Sequence, residues 1–236
     1  MNLIILFNDD FTTNPKLVRL YGQRFKHITE VNRAVIGSTL RVGLLDGNMG
    51  NGVIKDINSH MLEMEVNLDS CPPAPVRATL ILAVPRPRVL KRTLAQVTAM
   101  GIKKIILINS YRVEKSFWKS DLLESGNLKK YLIKGLEQGR DTILPEVITQ
   151  PLFKPFVEDH LPDIIKGTTP FVAHPTATET CPCSIGSPVT LAIGPEGGFI
   201  PYEIEKLVNC GFTPIRMGER ILPVETAVSG LISRLI

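Results

Sequence analysis

Short apolar runs that alternate with helical periods restrict the fold of this chain more than any other feature. Residues 78–84 and 189–193 are almost wholly apolar, which is typical of strands covered on both faces. Residues 88–100 place apolar side chains on one helical face, and Gly101 follows where a helix would end. Similar patterns predict strands at residues 104–109, 147–149, 171–173 and 214–217, and helices at 115–124, 127–139, 156–166, 201–210 and 224–235. Strands and helices in alternation predict an α/β domain with a parallel sheet.

The first 70 residues have a different pattern, with brief apolar runs between glycine and asparagine clusters. Asp-Gly and Asn-Gly pairs within residues 46–52 favour tight hairpin turns, because such turns need positive φ angles. The opening run at residues 3–7 is too short for a signal peptide and is predicted to be a buried strand. A proline-rich joint at residues 71–75 interrupts strand pairing, since proline has no N–H to donate. We therefore predict two domains, a small antiparallel β-barrel at residues 1–71 and the α/β domain at 76–236.

Composition excludes several classes of protein. With 44% hydrophobic and 21% charged residues the chain is an ordinary globular protein, and its net charge of +4 permits a polyanionic partner without resembling a basic tail. No stretch approaches the roughly 20 apolar residues that a membrane helix needs, so we predict a cytoplasmic protein without a membrane partner. The four cysteines lack the spacing of a disulfide framework or a zinc site, and we predict reduced thiols and no metal.

The most specific local feature is a glycine-rich turn at residues 194–198, which directly follows an apolar strand. In open α/β sheets ligands bind at the carboxyl ends of the strands, and glycines let the backbone approach a ligand closely. The turn lacks both the Gly-Lys-Ser/Thr ending of a P-loop and the Gly-x-Gly-x-x-Gly of a dinucleotide site. What remains is a nucleoside-containing ligand without a phosphate chain, or a turn that merely connects strand and helix. A second strand-to-helix turn at residues 217–227 favours a ligand held between two turns at neighbouring strand ends.

These two turns resemble the paired motifs of the RsmE family of ribosomal RNA methyltransferases, in the SPOUT superfamily. Residues 194–198 are Gly-Pro-Glu-Gly-Gly, as in the family, and residues 217–227 resemble its Leu-Gly-x-Arg-Ile-Leu-Arg-x-Glu-Thr-Ala motif. Met217 and Pro223 depart from that motif, where the family usually has Leu and Arg. Looser matches extend the resemblance over nearly the whole chain, at His27-Ile28, Arg33, Leu45-Asp46-Gly47, Gln96, Met100-Gly101, Glu137-Gln138, Arg140 and His174-Pro175.

The resemblance implies a fold and an activity. The implied fold is an N-terminal PUA-like β-barrel followed by a SPOUT α/β domain with a parallel sheet and a C-terminal deep trefoil knot. The implied activity is S-adenosylmethionine-dependent methylation of N3 of a uridine in 16S rRNA of the small ribosomal subunit, by a homodimer without a metal. Two other functions stay open: a non-catalytic RNA-binding protein, which Pro223 favours, and a nucleotide-binding metabolic enzyme, which the missing phosphate motifs disfavour.

Both turns supply candidate site residues. The predicted cofactor-binding residues are Ile193, Gly194, Glu196, Gly197, Gly198, Met217, Gly218, Ile221, Leu222, Thr226 and Ala227. For methyl transfer to uracil, we predict that Arg33 and Arg220 stabilise negative charge on its carbonyl edge and that Glu225 accepts or relays the N3 proton. Glu225 has an equal alternative as a first-turn carboxylate that complements the helix dipole. Glu196 either faces the cationic methionine end of the cofactor or begins the following helix, and we favour the second. His174 either caps a site strand or is a packed structural residue, and we favour the second.

Basic side chains in both predicted domains are candidate RNA contacts. The predicted RNA-binding residues are Arg24, Lys26, Arg33, Arg86, Arg88 and Arg92. Lysine and arginine side chains in a row can follow a phosphate backbone, and such binding weakens as salt rises. For residues 86–92 a solvated helix face is the alternative.

Overall fold

The computed structural model describes residues 2–236, with Ser125 described by its backbone alone. The chain forms two compact units. The first consists of Met1–Ala74 with Ile133–Leu144, and the second of Pro75–Leu132 with Pro145–Ile236. The return of a later segment to the first unit was not predicted from sequence, where residues 1–71 and 76–236 are the two domains. That division of the chain stays a prediction.

Over the described residues, five strands form the curled, barrel-like sheet of the first unit. They are β1 (Ile4–Leu6), β2 (Leu17–Tyr21), β3 (Thr39–Leu44), β4 (Met49–Ile57) and β5 (Met61–Ser70), in the order β1-β3-β4-β5-β2. Neighbouring strands are antiparallel except for β1 and β3, which are parallel. A short helix, α1 (Gly22–Lys26), and a π-helical turn at His27–Val31 follow β2. The predicted small β-sheet unit with a buried first strand is confirmed.

Alternating burial along the strands builds the core of the first unit. In β2, Val18 and Leu20 are buried whereas Arg19 and Tyr21 are exposed, the two-residue period of a strand with one face inward. The main core consists of Ile4, Leu6, Val18, Leu20, Ile28, Val42, Ile54, Leu62, Met64 and Val66. A smaller cluster of Leu3, Ile5 and Leu136 packs the returning segment into this unit.

The turn between β3 and β4 is shorter than predicted, with Asp46 inside it at a φ of 58°. The glycine-rich run was predicted to be a turn as far as residue 52, but β4 already includes Gly50 and Gly52. A Cβ at Gly50 would collide with the carbonyl oxygen of Asn67, and one at Gly52 with the sulfur of Met64. These two glycines therefore permit close approach of β5 rather than a turn.

Over the same residues, seven strands form the sheet of the second unit. They are β6 (Val76–Ala83), β7 (Ile102–Ile108), β8 (Glu146–Gln150), β9 (Thr169–Ala173), β10 (Glu179–Thr180), β11 (Val189–Ile193) and β12 (Thr213–Arg216), in the order β10-β12-β9-β11-β6-β7-β8. Every pairing is parallel. All five residues of β11 are buried, as expected of a strand covered on both faces. The predicted parallel sheet is confirmed, and β10 is an edge strand that no pattern predicted.

Helices connect these strands. They are α2 (Pro87–Ala99), α3 (Lys115–Trp118), α4 (Ser125–Gly139), α5 (Phe153–Pro155), α6 (Leu161–Ile164), α7 (Pro201–Asn209) and α8 (Val224–Leu235). As predicted, α2 is followed by Gly101 in the left-handed region, at a φ of 90°. The helix predicted at residues 115–124 is divided, because the Ser120 hydroxyl accepts from the Leu122 N–H at 3.2 Å and starts a separate 3-10 turn. No helix among residues 2–236 is both long and apolar enough to cross a bilayer.

The four cysteines are free thiols. Burial raises the pKa of the Cys181 and Cys210 thiols, which favours the protonated, unreactive form. Within the described part of the chain, no group of three or more His, Cys, Asp or Glu side chains is placed to hold a metal ion.

Candidate active site

A cavity of about 670 Å³ opens at the carboxyl ends of three strands of the parallel sheet. β9 lies between β11 and β12, so the segments that leave all three strands meet at one edge. The lining comes from the end of β9 and residues 174–176, the end of β11 and residues 194–199, the end of β12 and parts of 217–223, and α8 adds Val224, Ala227 and Leu231. The sequence analysis placed the two glycine-bearing turns on neighbouring strands, which is wrong because β9 separates them. Both turns nevertheless border one cavity.

The turn at residues 194–198 forms one wall of this cavity. The N–H of Gly198 donates to the carbonyl of Pro195 at 2.7 Å, and Gly198 has a φ of 71°, in the region that favours glycine. A Cβ at Gly194 would lie 2.8 Å from the backbone nitrogen of Phe199. A larger residue at Gly194 therefore fits only if the turn moves.

Two side chains hold this turn against the segments that follow β6 and β7. The carboxylate of Glu196 accepts from the backbone N–H of Arg86 at 3.0 Å. The guanidinium of Arg112 donates to the carbonyl of Gly197, and a Cβ at Gly197 would lie 2.9 Å from Cδ of Arg112. The favoured interpretation of Glu196 as the start of the next helix is wrong, because α7 begins at Pro201.

Glu203 links the start of α7 to the segment after β7. Its side chain is 2% exposed, and its carboxylate accepts from the N–H of Tyr111 at 2.7 Å and from that of Ile200 at 2.9 Å. The bond to Ile200 is half of a capping box, in which the third helical residue reaches back to the residue before the helix. One buried carboxylate therefore fixes both the helix start and the neighbouring loop.

The opposite wall leads from β12 into α8. A Cβ at Gly230 of α8 would come within 2.6 Å of the Met217 sulfur, so Met217 packs closely on that helix. Pro223 directly precedes α8, and its carbonyl accepts from the Ala227 N–H at 2.9 Å. The missing N–H of proline is harmless there, because the first amides of a helix have no helical partner.

The structure brings most of the predicted site residues together at the cavity. The predicted cofactor-binding residues that line it are Ile193, Gly194, Glu196, Gly197, Gly198, Met217, Gly218, Ile221, Leu222 and Ala227. Thr226 lies on the exposed side of α8 and is not part of the described lining. Of the predicted catalytic residues, Arg220 lines the cavity, Glu225 lies in the first turn of α8 outside the lining, and Arg33 belongs to the first unit.

The third wall includes His174, which was favoured as a packed structural residue, and Thr176, Arg112 and Arg216 were not predicted from sequence. His174 and Thr176, after β9, line the cavity, with His174 Nδ1 2.8 Å from Thr176 Oγ1; His174 therefore borders the site rather than packing in the core. Arg112 and Arg216 also line it, and the Nε of Arg216 is buried with no hydrogen-bond partner among the described residues. These residues lie in or just after predicted strands, so applying the strand-end rule to every strand would have found them.

Comparison with known proteins decides the family. A profile described as RNA methyltransferase domain matches residues 72–236. This chain belongs to the RNA methyltransferase domain family.

Relatives within and near this family cover almost the whole chain. A ribosomal RNA small subunit methyltransferase E from Treponema pallidum is 27% identical over 234 residues, which is 96% of this chain and 87% of that relative. A putative methyltransferase from Legionella pneumophila, solved with bound SAM, has a TM-score of 0.74 at 21% identity and covers 99% of this chain and 96% of that one. A ribosomal RNA small subunit methyltransferase E from Neisseria gonorrhoeae, solved with S-adenosyl methionine, has a TM-score of 0.70 at 19% identity, covering 98% and 95%. These structural similarities support the predicted fold, a barrel-like sheet followed by an α/β domain with a parallel sheet.

For a member of an RNA methyltransferase family, the basic side chains matter most where they are exposed. Arg86 directly precedes α2, Arg88 and Arg92 lie in its first half, and all three are exposed. Lys26 and Arg33 are exposed in the first unit. Their role in RNA binding stays a prediction.

Arg24, another predicted RNA contact, is held inside the first unit. Its two terminal nitrogens donate to both carboxylate oxygens of Asp10, each at 2.6 Å, and one also donates to the Ile5 carbonyl at 3.2 Å. The guanidinium carbon lies 4.9 Å from the centre of the Phe7 ring. Asp10 is buried, with 7% of its side chain exposed. These contacts indicate that Arg24 stabilises the fold.

Replacing Arg24 by alanine is expected to lower the free energy of unfolding by about 2 kcal/mol, because it leaves the buried Asp10 carboxylate without its partner. Urea unfolding measures the change, and Lys26→Ala, which removes an exposed neighbouring charge, is the matched control with a change within roughly 0.5 kcal/mol. An Arg24→Ala variant of unchanged stability with weakened RNA binding would instead make Arg24 an RNA contact.

Proposed function

We propose that this chain transfers a methyl group from S-adenosylmethionine to N3 of a uridine in 16S rRNA of the small ribosomal subunit. The cavity at the ends of β9, β11 and β12 carries the proposal, because both turns that resemble the RsmE motifs border it. Family membership and the name of the Treponema pallidum relative support an RNA substrate in the small subunit. Two structures of similar fold were solved with S-adenosylmethionine, which supports that cofactor.

The residues around the cavity fit this cofactor. A volume of about 670 Å³ lies inside the roughly 300–1,000 Å³ of small-molecule sites. Nothing lies within 4 Å of a Cβ built at Gly218, which leaves open space beside the backbone for adenine and ribose. Ile193 and Leu222 supply apolar surface for the adenine face. The buried, unpaired Nε of Arg216 suits an anionic group such as a carboxylate.

The sulfonium of the bound cofactor supplies an electrophilic methyl group, so the task of the chain is mainly to position the reactants and exclude water. The hydrogen bonds that Glu196 and Arg112 make to their neighbours hold the turn at residues 194–198 in one shape. A turn held in advance costs less free energy to order when a ligand binds.

For the target base, the N3 proton must leave and negative charge develops on the uracil carbonyl edge. Arg220, in the lining, is the guanidinium that we assign to stabilise this charge, and Arg33 is a second candidate. Glu225 lies in the first turn of α8, where it either relays the proton or complements the helix dipole. Conversion of Glu225 to alanine separates these roles, because only loss of the relay lowers turnover without a change in cofactor affinity.

The proposal extends to the assembly. It includes a homodimer, a PUA-like role for the first unit in seating RNA, a C-terminal trefoil knot in the second unit, and a location in the cytoplasm with the ribosomal subunits. The homodimer, the PUA-like role and the knot are implied by the resemblance to the RsmE family.

Methyl transfer to unmodified 16S rRNA, free or assembled into small subunits, tests the function. The protein is incubated with either substrate and with S-adenosylmethionine, and mass spectrometry of the digested RNA locates the methylated nucleoside. The expected product is 3-methyluridine at a single position. Methylation of another base would overturn the atom assignment, and a calorimetric titration without any heat of cofactor binding would favour the non-catalytic RNA-binding alternative.

A further inference from the structure

A smaller cavity, with a volume of about 250 Å³, lies in the first unit. It is lined by Leu3, Arg41, Met49, Gly50, Asn51, Ser70 and Arg140. This described lining contains two guanidiniums, an amide and a hydroxyl, and no carboxylate. Its volume is below the roughly 300–1,000 Å³ of pockets that enclose whole small ligands. The cavity therefore has room for one anionic group of a larger molecule.

The sheet register makes two of the polar side chains, those of Arg41 and Asn51, neighbours on one face. Arg41 of β3 lies directly opposite Asn51 of β4, and side chains of directly paired residues are neighbours on the same face. Met49 of β4 pairs with Ser70 of β5, with a bulge in this pairing between Met49 and Asn51. Bulges locally redirect side chains and recur beside functional sites. Arg41, Asn51 and Ser70 are thus held by the strands.

Arg140 enters the cavity from an unusual backbone position. It directly follows α4 and has a φ of 56°, in the left-handed region where helices usually end with glycine or asparagine. A long side chain gains nothing from that conformation and is strained by it. Strain of this kind persists only where the surrounding structure holds it, and such residues cluster at ligand sites.

Neither guanidinium has a partner among the described residues. Across residues 2–236, no hydrogen bond or ion pair is made by the side chain of Arg41 or Arg140. In the same unit Arg24 is paired with Asp10 and Arg19 with Glu63. Both side chains are exposed to solvent, so an anion can reach both guanidiniums from outside. Arginine binds phosphate through two parallel hydrogen bonds, which is the strongest form of such pairing.

We propose that this cavity binds one phosphate group of the RNA backbone, between the guanidiniums of Arg41 and Arg140. Asn51 and Ser70 add neutral donors to the phosphate oxygens. Contacts to phosphate fix the position of RNA without selecting its sequence, so the site orients the substrate rather than choosing the uridine. The inference rests on the proposed RNA substrate.

Binding of a fluorescent 16S rRNA fragment, measured by anisotropy at several salt concentrations, tests the proposal with Arg41→Gln, Arg140→Gly and the double variant. Arg140→Gly is the sharpest change, because glycine relieves the left-handed strain and keeps the protein folded. We expect the double variant to bind RNA about tenfold more weakly, and its salt slope to fall by about one. Lys55→Gln is the matched control, since it removes one exposed charge from β4 outside the cavity, next to Glu65, and should leave affinity within about twofold.

The outcomes separate this site from the proposed function. Wild-type protein that methylates the RNA, together with a double variant of unchanged RNA affinity and salt slope, would overturn the phosphate site alone. Weakened RNA binding by the double variant, in a protein that does not bind S-adenosylmethionine, would support the site while the methyltransferase proposal fails. If the double variant loses binding of inorganic phosphate but keeps the RNA affinity of the wild type, the cavity is a site for free anions and the proposal is overturned.

Discussion

Replacing Gly194 by alanine is expected to weaken S-adenosylmethionine binding by about 10 to 100-fold. The new Cβ would lie 2.8 Å from the Phe199 nitrogen and 3.0 Å from the Gly198 carbonyl carbon, so the turn must open to accept it. Restoring the closed shape for binding then costs about 1–3 kcal/mol, the usual penalty for extra atoms in a packed site, and each 1.4 kcal/mol is about tenfold in affinity. Isothermal titration calorimetry measures the loss.

Gly126→Ala is the matched control for this substitution. A Cβ at Gly126, in α4, meets nothing within 4 Å and its backbone needs no positive φ, so alanine should leave both affinity and stability unchanged or slightly improve the helix. A Gly194→Ala protein that binds the cofactor within twofold of wild type would show that the turn does not contact it.

Removing the Glu203 carboxylate is expected to have the largest effect on stability. Glu203→Ala leaves the N–H groups of Tyr111 and Ile200 without their acceptor, and hydrogen bonds to a charged group contribute about 1.5–3 kcal/mol each. The sum is about 3–6 kcal/mol, which for a chain of this size lowers Tm by roughly 6–24 °C. Differential scanning calorimetry measures the shift.

Two further variants on α7 show whether the loss of stability comes from the Glu203 carboxylate itself. Glu205 is exposed on α7, so Glu205→Ala should change the free energy of unfolding by no more than roughly 0.5 kcal/mol. Glu203→Gln keeps one carbonyl acceptor and should fall between the wild type and Glu203→Ala. Equal melting temperatures for the two alanine variants would mean that the buried carboxylate does not hold the loop.

Local patterns predicted much of the second unit because its strands are buried on both faces. Val189–Ile193 was predicted with the bounds that the structure has, since four apolar residues and a threonine directly before a glycine turn leave little choice. The helix predicted at residues 201–210 begins at Pro201 in the structure as well. Proline fixes its own φ and lacks an N–H, which suits the first helical turn.

The features that the sequence could not predict depend on the order of the strands in the sheet and on packing between segments far apart in the chain. No local pattern indicates that β9 lies between β11 and β12, so the wall formed by His174 and its neighbours was missed. The return of Ile133–Leu144 to the first unit depends on packing of Leu136 with Leu3 and Ile5. The glycines of β4 looked like turn residues because close approach of two strands and positive φ both select glycine.

The position of the ligand in crystals grown with S-adenosylmethionine tests the central claim most directly. We predict the adenosine between the turn at residues 194–198 and the segment at 217–227, in contact with the segment after β9. Adenosine bound at any other place on the chain, with this cavity filled only by solvent, would contradict the account.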